Sequence, residues 1–275
     1  MSDLVELSVR AAPPPGRRVE VECVAPDRFA TMSETEIASL PVWQRRRSPR
    51  LGDFFDVRGG RAPRVRVTGD ASRVDGLGAG MSAGELEIDG DAGRGLGQQM
   101  SGGTIRVRGS AGDGAGMAMS GGTLRIDGDV GDDVGGAPPG ASRGMAGGEI
   151  VVRRAAGNRV GACARRGLVV VEGDAGDDAA HAMIAGSVIV FGNVGRGAAA
   201  SSKRGTLVVL GEVDIPLTFR YACTFRPPHL RLIFEHLRRH HDMLIDDAHV
   251  NGVYRRYSGD MAELGRGEIL QWVRS

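Results

Sequence analysis

Aromatic side chains are scarce in this sequence, at 4% of its 275 residues. Between Phe55 and Phe219 there is a single aromatic residue, Phe191. The chain is nevertheless 41% hydrophobic, which is enough to fill a core in a protein of this length. That core must therefore consist of small and aliphatic side chains, which is unusual for ordinary β-sandwiches and barrels.

An excess of charge of either sign is also missing. The 35 basic and 34 acidic residues leave a formal net charge of +1, and Lys203 is the only lysine. A binder of nucleic acid or of membrane surfaces usually carries a strong basic excess. The charge balance therefore argues against both function classes.

Cysteines and long apolar runs are few as well. Cys23, Cys163 and Cys223 are odd in number and far apart, and the first residues show no basic segment followed by an apolar run. No stretch approaches 18 consecutive apolar residues. We expect a reducing, cytoplasmic setting and no membrane span.

What the chain does contain is a repeat of nineteen residues. Short apolar segments end at a glycine at positions 90, 109 and 128, and again at 173, 192 and 211. A further copy ends at Arg154, because the insertion APPGASR (137–143) lengthens the spacing there to 26, and a looser copy ends at Gly69. The sequence thus contains eight copies.

Each copy carries apolar residues with a period of two, as in Leu86 and Ile88 or Ile105 and Val107, which predicts one short strand. A small apolar residue such as Ala92 or Ala111 follows at a fixed distance. The methionines that recur at equivalent positions are Met81, Met100, Met119, Met145 and Met183. Such units bury their apolar sides only by stacking, which predicts a parallel β-helix, that is, a single-stranded solenoid of about eight coils.

Glycine runs such as Gly93–Gly97 first suggest a phosphate-binding loop, but the full G-x-G-x-x-G spacing and a following helix are missing. The pairs Asp132–Asp133 and Asp177–Asp178 suggest calcium, but equivalent copies lack these acids. We interpret the glycines as tight corners, and the acids as turn residues whose side chains bond nearby backbone amides.

A left-handed β-helix of hexapeptide repeats is a rival fold, and many such proteins are homotrimeric acyltransferases with a catalytic histidine. Their coils have eighteen residues in three equal parts, whereas this chain keeps nineteen, and its only histidine in the repeat region is His181. His181 is more simply a packed or exposed structural residue. A ligand-binding or filament-forming solenoid is a further alternative.

The C-terminal segment Arg226–Asp247 contains the histidines His236, His240 and His241. His236 and His240 lie four apart, which metal sites use, but no HExxH pattern is present and arginines lie between them. We therefore predict no metal site. The segment instead predicts a helix that lies against the solenoid end or a partner, with an apolar face formed by Leu230, Ile233, Phe234, Leu237 and Leu244.

Arginines cluster at several places. The clusters are Arg45, Arg46 and Arg47 with Arg50; Arg153 and Arg154; Arg165 and Arg166; and Arg255 and Arg256. A solvated or ion-paired face is the simpler interpretation, and arginine forks that hold an anionic ligand are the alternative. Residues 1–60 are predicted as an N-terminal cap with a helix at about 33–40, residues 61–215 as the solenoid, and residues 216–275 as a C-terminal tail with one helix.

The tandem segments "GLGQQMSGGTIRVRGSAGDGAG" and "GAGMAMSGGTLRIDGDVGDDVG" resemble the C subunit of formylmethanofuran dehydrogenase. They are more distantly similar to the C-terminal β-helix of the glutamate synthase large subunit. The likeness covers about residues 50–215, is greatest to the C subunit of the formyltransferase/hydrolase complex of methylotrophic bacteria, and implies a right-handed β-helix.

The resemblance implies a non-catalytic scaffold within a complex of four subunits that serves one-carbon metabolism and formaldehyde oxidation. The partners would be a formyltransferase, an amidohydrolase-like subunit and a third unlike subunit. They would move a formyl group from formyl-tetrahydromethanopterin to a methanofuran-type carrier and release formate. No cofactor is expected on this chain, and metals are expected in the amidohydrolase-like partner. If the carrier is anionic, Arg45, Arg46, Arg47, Arg153 and Arg154 are candidate contacts, and no catalytic residue is carried over.

Overall fold

The computed structural model describes residues 4–10, 17–42 and 49–274. The strands are β1 (Val5–Val9), β2 (Val19–Glu20), β3 (Phe55–Arg58), β4 (Arg64–Thr68), β5 (Val74–Asp75), β6 (Glu85–Ile88), β7 (Thr104–Val107), β8 (Thr123–Ile126), β9 (Ala146–Val152), β10 (Arg166–Val171), β11 (Ser187–Val190), β12 (Thr206–Val209), β13 (Arg220–Phe225), β14 (Tyr254–Gly259) and β15 (Gly267–Trp272). The helices are α1 (Pro26–Phe29), α2 (Glu34–Ala38), α3 (Pro228–His241) and α4 (Asp247–Val250), with a 3-10 turn at Leu51–Asp53. Within these ranges every helix is too short or too polar to span a bilayer.

One mixed sheet of thirteen strands dominates the fold, in the order β13-β14-β15-β12-β11-β10-β9-β8-β7-β6-β4-β1-β3. All neighbours from β1 through β4 to β12, and on to β15, are parallel. Antiparallel pairs occur only at the ends of this order, β1 with β3 and β13-β14-β15. The fold is therefore mostly β, as predicted.

Each repeat contributes one strand to this sheet, in register with the equivalent strand of the next repeat. The paired residues form a column through Ile88, Val107, Ile126, Val152, Val171, Val190 and Val209. A second column two residues earlier runs through positions such as Leu86, Ile105 and Leu124. Both columns are fully buried, so the alternation in the sequence correctly predicts strands with one face in the core.

The backbone of one repeat also contacts the next outside the sheet. Parallel bridges join the small residues in the series Ala71, Ala92, Ala111, Val130, Ala156, Ala175, Val194 and Val213. A further series of amide-to-carbonyl bonds runs from Gly97 to Leu77, from Gly116 to Leu96 and on through the later repeats. Met81, Met100, Met119, Met145 and Met183 are all fully buried, which confirms the predicted methionine column.

The glycine runs form turns that join the sides of each repeat. Gly95 and Gly97 have positive φ values of +65° and +61°, and the equivalent Gly114 and Gly116 have +75° and +64°. Each run lies between backbone segments that bond to the neighbouring repeats rather than at the start of a helix. The glycines therefore lie in tight corners, as predicted.

The acids beside the corners bond to the next repeat, which differs from the prediction that they bond within their own turns. Oδ1 of Asp113 accepts from the amide of Asp132 at 3.1 Å, and Oδ1 of Asp132 from the amide of Asn158 at 2.8 Å. The chain of bonds continues from Asn158 to the amide of Asp177, at 2.9 Å, and from Asp177 to the amide of Arg196, at 2.8 Å. A parallel stack places equivalent residues directly above one another, so the neighbouring repeat offers the nearer amide.

Replacing Asp132 with alanine should lower the free energy of unfolding by about 1–2 kcal/mol, because the amide of Asn158 loses its acceptor in a part-buried setting. Urea unfolding followed by circular dichroism measures the loss. Asp214→Ala is the matched control, since Asp214 is exposed, and it should change stability by less than about 0.5 kcal/mol. Equal effects of the two variants would contradict a stabilising role for the acid series.

The N-terminal segment joins the sheet. β1 pairs with β4 in the parallel sense, with Leu7 opposite Val67, and so places a buried residue under the first repeat. The helix predicted at about 33–40 is present as α2 and begins with a capping box, because Ser33 accepts from the amide of Glu36 and the Glu36 carboxylate accepts from the amide of Ser33. Strand β2 is short, since only Val19 and Glu20 pair, with β5.

The C-terminal segment contains more structure than the single predicted helix. It forms α3, α4 and the three strands β13, β14 and β15. β15 pairs with β12 in the parallel sense, and β14 and β13 follow in the antiparallel sense. These strands continue the sheet past the last repeat, although they do not carry its glycine and methionine pattern.

The loop between β14 and β15 is tied to the last repeat through Asp260, which is 4% exposed. Its Oδ2 accepts from the amide of Ser201 at 2.9 Å and its Oδ1 from the amide of Ala262 at 2.8 Å. Burial raises the pKa of Asp260, but these two amides and the Thr218 hydroxyl stabilise the carboxylate, so the net pKa lies below its ordinary value of 3.8.

A lowered carboxyl pKa gives stability that is present above the unfolded-state pKa and is lost as the pH falls below it. Wild type should therefore exceed Asp260→Asn in stability at neutral pH, and the difference should shrink as the pH falls below about 4. Urea midpoints of both proteins between about pH 7 and about pH 2.5 provide the measurement. A difference that grows on acidification would contradict the assignment.

Candidate functional site

The outer face of the sheet changes character along the stack. On β6, β7 and β8 the outward residues at the middle of each strand are Glu87, Arg106 and Arg125. At the same place on β9 to β12 they are Val151, Val170, Ile189 and Val208, all fully buried. We call these two parts the charged half and the apolar half of the outer face.

Helix α3 covers the apolar half. Leu230, Phe234 and Leu237 are buried in one cluster with the four outward residues of β9 to β12. The ring of Phe234 lies 6.0 Å from that of Phe191, which projects from the same face. The helix thus lies on the side of the stack and not against its end, because the apolar half offers the area that its apolar stripe must bury.

Three of the five residues predicted for the apolar face of the segment are buried, Ile233 is partly buried against the same cluster, and Leu244 is fully exposed. Leu244 lies beyond the helix, whose last residue is His241, so the helical spacing does not extend to it. The buried positions of this connection are instead Met243 and Ile245. The prediction for Leu244 is therefore wrong.

The C-terminus of α3 is held by two arginines that project from the sheet. Arg125 donates from Nη1 to the carbonyl of His241 at 3.2 Å. Arg153 donates to the same carbonyl at 2.5 Å and to that of Asp242 at 3.0 Å. The last carbonyls of a helix lack partners within it and carry partial negative charge, so these cations stabilise the end of α3.

Beside this helix end, Glu149 of β9 contacts two histidines of α3. Its Oε1 lies 2.9 Å from Nε2 of His236, and its Oε2 lies 2.8 Å from Nε2 of His241. The His241 side chain is 4% exposed, whereas those of Glu149 and His236 are 30% and 39% exposed. The hydrogen bond from His241, followed by that from His236, lowers the pKa of Glu149 to about 2 against the opposing effect of burial.

His240 also belongs to this group, since its ring centroid lies 4.6 Å from that of His236. The sequence draws attention to these histidines but gives no sign of Glu149, which is 87 and 92 residues away from its two partners. Glu149 occupies an ordinary outward strand position, where the equivalent residues of β7 and β8 are Thr104 and Thr123. Only the docking of α3 identifies it.

The predicted carrier contacts fall in different places. Arg45, Arg46 and Arg47 lie outside the described residues. Arg153 is largely buried and forms an ion pair with Glu172 in addition to its bonds to the end of α3. Arg154 is exposed, and its guanidinium makes no hydrogen bond or ion pair with the described part of the chain. A role in carrier binding stays a prediction for all five.

The charged half of the outer face carries a network of ion pairs between neighbouring strands. Arg66 contacts Asp89 at 2.8 Å, and Arg108 contacts Glu87 at 2.6 Å. A depression of about 470 Å³ lies among them and is lined by Leu4, Arg64, Val65, Arg66, Glu85, Leu86, Glu87, Thr104 and Arg106. Exposed pairs of this kind add little stability, about 0–1 kcal/mol each, so they shape the polarity of this surface more than they hold the fold.

His181, the histidine weighed for acyl transfer, lies in a corner and is half buried. Its backbone amide bonds to the carbonyl of Asp178 at 3.0 Å, and its carbonyl accepts from the amide of Cys163 at 2.8 Å. Its Nδ1 is buried and has no hydrogen-bond partner among the described residues. These contacts agree with a structural position for His181.

The chain resembles known proteins over part of its sequence. No protein-family model matches the chain. It is 40% identical over 81 residues to the C subunit of molybdenum-containing formylmethanofuran dehydrogenase 1 from Methanosarcina barkeri, a match that covers 28% of this chain and 27% of that protein. It is 36% identical over 77 residues to the C subunit of the formyltransferase/hydrolase complex Fhc from Methylorubrum extorquens, covering 28% and 29%. These matches span less than a third of the length of the curated relatives.

A structural match covers the whole fold. A chain in the crystal structure of the formyltransferase/hydrolase complex (FhcABCD) from Methylorubrum extorquens, in complex with methylofuran, superimposes with a TM-score of 0.90 and 36% identity. The match covers 98% of this chain and 100% of that one. Fold and surface define a mainly β repeat protein with one large mixed sheet and a helix docked on its outer face. The chain belongs to the family of formylmethanofuran dehydrogenase C subunits.

Proposed function

We propose that the chain is the C subunit of a formyltransferase/hydrolase complex and acts there as a scaffold without catalytic residues of its own. The observation that carries this proposal is the match at TM-score 0.90 and 36% identity, over nearly all of both chains, to one chain of the FhcABCD complex. The curated relatives are also subunits of larger enzymes by name.

We propose further that the fold is a right-handed parallel β-helix of about eight coils. Support comes from three separate series of inter-repeat contacts, which are the strand ladder, the bridges that begin at Ala71 and Ala92, and the bonds from Gly97 to Leu77 and onwards. Residues 1–60 and 216–275 would close its two ends, in keeping with the way in which β1 and β15 pair with the first and last repeats.

The proposed reaction belongs to the partners. They would transfer a formyl group from formyl-tetrahydromethanopterin to a methanofuran-type carrier and hydrolyse the formyl carrier to formate, with metals in the amidohydrolase-like partner. The scaffold assignment is supported by the use of this chain's polar side chains, since Asp113, Asp132 and Asp177 bond to backbone amides and Arg153 holds the end of α3. A partner would use the charged half of the outer face, which α3 leaves exposed.

Affinity purification of the tagged chain, co-expressed with genes for the formyltransferase and the amidohydrolase-like protein, tests the proposal. Unlike subunits should co-elute in a fixed ratio, and formyl transfer should appear with the assembled complex and be absent from the chain alone. A homotrimer with acyltransferase activity, or filaments of the chain by itself, would overturn the scaffold assignment.

Contact with an anionic carrier is a separate part of the proposal, and Arg154 is its best-placed described residue because it is exposed. In the assembled complex, Arg154→Glu should raise the KM for the carrier and leave the co-elution of the subunits unchanged. The matched control is Arg143→Glu, an exposed arginine in the inserted loop. An unchanged KM, also after charge reversal at Arg45, Arg46 and Arg47, would remove this chain from the carrier path.

A further inference from the structure

The cluster of Glu149, His236 and His241 brings three metal-ligating groups together from two different elements. The donor atoms, which are the two Nε2 atoms and a carboxylate oxygen, all lie within 4.8 Å of one another. Both histidines direct the same ring nitrogen toward the one carboxylate. Two imidazoles and one carboxylate are a donor set that zinc uses in proteins, with a fourth position left for water or another ligand.

The distances fit such a site with small side-chain movements. Zinc binds imidazole nitrogen and carboxylate oxygen at about 2.0–2.2 Å in tetrahedral geometry, so two ligand atoms lie about 3.3 Å apart. The observed separations between nitrogen and oxygen, 2.9 Å and 2.8 Å, are slightly shorter. These two distances end on different carboxylate oxygens, so zinc binding needs the Glu149 carboxylate to turn and the two Nε2 atoms, which lie within 4.8 Å of each other, to stand about 3.3 Å apart.

The surroundings also permit a dication. The two arginines that contact His241, Arg125 and Arg153, donate to its backbone carbonyl rather than to its ring. Each of them is ion-paired with a carboxylate, Arg125 with Asp127 at 2.9 Å and Arg153 with Glu172. The surrounding charge is therefore nearly balanced, and Glu149 remains as the negative group that faces the two rings.

The exposure of the cluster and the elements that supply its side chains also suit a metal ion. His241 is buried, whereas His236 is 39% exposed, so an ion could enter from the solvent side and keep an open coordination position there. Because Glu149 belongs to the sheet and the histidines to α3, one ion would bind both elements at the border between the charged and apolar halves.

We propose that Glu149, His236 and His241 bind one divalent transition-metal ion, with zinc the best match, and that the ion fastens α3 to the outer face of the sheet. This departs from the sequence-based prediction that the chain binds no metal, and it does not depend on the proposed place in an enzyme complex. The rival is a clasp in which the histidines only donate hydrogen bonds to Glu149.

Zinc titration of the chelator-treated full-length chain distinguishes the metal site from the hydrogen-bonded cluster. Wild type should bind one Zn²⁺ per chain, and Co²⁺ in its place should give the strong visible bands of a tetrahedral site. Glu149→Gln and His236→Ala should each weaken zinc binding at least tenfold, whereas His229→Ala, an exposed histidine of the same helix, should leave it unchanged. Circular dichroism verifies that each variant is folded.

Two outcomes would overturn the proposal. The first is no stoichiometric binding by wild type, which would leave the hydrogen-bonded clasp. The second is binding that is lost in His240→Ala but kept in Glu149→Gln, which would mark an adventitious pair of surface histidines, His236 and His240. A zinc-edge anomalous map of wild-type crystals soaked in zinc provides a readout that needs no variant, with a single peak expected between the three side chains.

Discussion

Gly122→Ala is expected to destabilise the protein by about 2–5 kcal/mol, because the substituted residue meets both a conformational and a spatial obstacle. Gly122 has φ +84°, and a Cβ there would lie 2.7 Å from the carbonyl oxygen of Gly103 and 2.9 Å from the carbonyl carbon of Gly102. Both neighbours are backbone of the repeat below, which cannot rotate away. Urea unfolding or a thermal melt of the full chain measures the loss.

Gly140→Ala provides the matched control. Gly140 has a nearly equal φ of +80°, but a Cβ there meets no atom within 4 Å, because the residue lies in the inserted loop. Its cost should be limited to backbone strain, about 1–2 kcal/mol. The difference between the two variants isolates the close approach of neighbouring repeats. Equal losses would mean that the left-handed backbone alone, and not the stacking distance, requires glycine at these corners.

Gly122 also illustrates what the sequence makes predictable in this fold. Equivalent residues recur immediately before or near the start of the strands, as Gly103, Gly148 and Gly167, and all have positive φ. In a repeat protein the same residue types recur at equivalent positions, so the strands, the corners and the methionine column are all predicted from one alignment of the copies. For this reason the buried positions of the repeat region could be predicted from one chain without any long-range information.

The direction in which the acids bond could not be predicted from the turn alone. Asp113 and Asp132 have the residue type and position of turn acids, and in an isolated turn they would bond to amides close in sequence. In the stack the amide of the next repeat comes closer, at 3.1 Å and 2.8 Å. Local preference and stacking compete here, and stacking prevails.

The sequence also contains a pattern that predicts where α3 docks, namely the residue at the middle of each strand. The middle residue of the strand is charged in the copies with Arg106 and Arg125 but apolar in those with Val170 and Ile189. An apolar residue at an outward position implies a covering element. The sequence thus contained the position of the helix on the stack, whereas the partnership of Glu149 with His236 and His241 depends on where the helix ends.

Phe234→Ala should remove the largest single contribution of α3 to its contact with the sheet, at a cost of about 3–5 kcal/mol. Phe234 is fully buried against the apolar half and contacts Phe191, and the neighbouring sheet residues cannot collapse into the space it leaves because the strand ladder fixes them. The loss should appear as local release of α3, so hydrogen exchange of the helix amides should accelerate far more than that of the core strands.

Leu232→Ala is the appropriate control, since Leu232 lies on the same helix two residues away and is 73% exposed. It should change stability by less than about 0.5 kcal/mol and leave exchange in α3 unaltered. Because His236 and His241 belong to the same helix as Phe234, Phe234→Ala should also raise the pKa of Glu149 in the metal-free chain from about 2 toward its ordinary value, as the imidazole hydrogen bonds are lost with the helix. Uniform acceleration of exchange across sheet and helix would instead show that α3 and the repeats unfold as one cooperative unit.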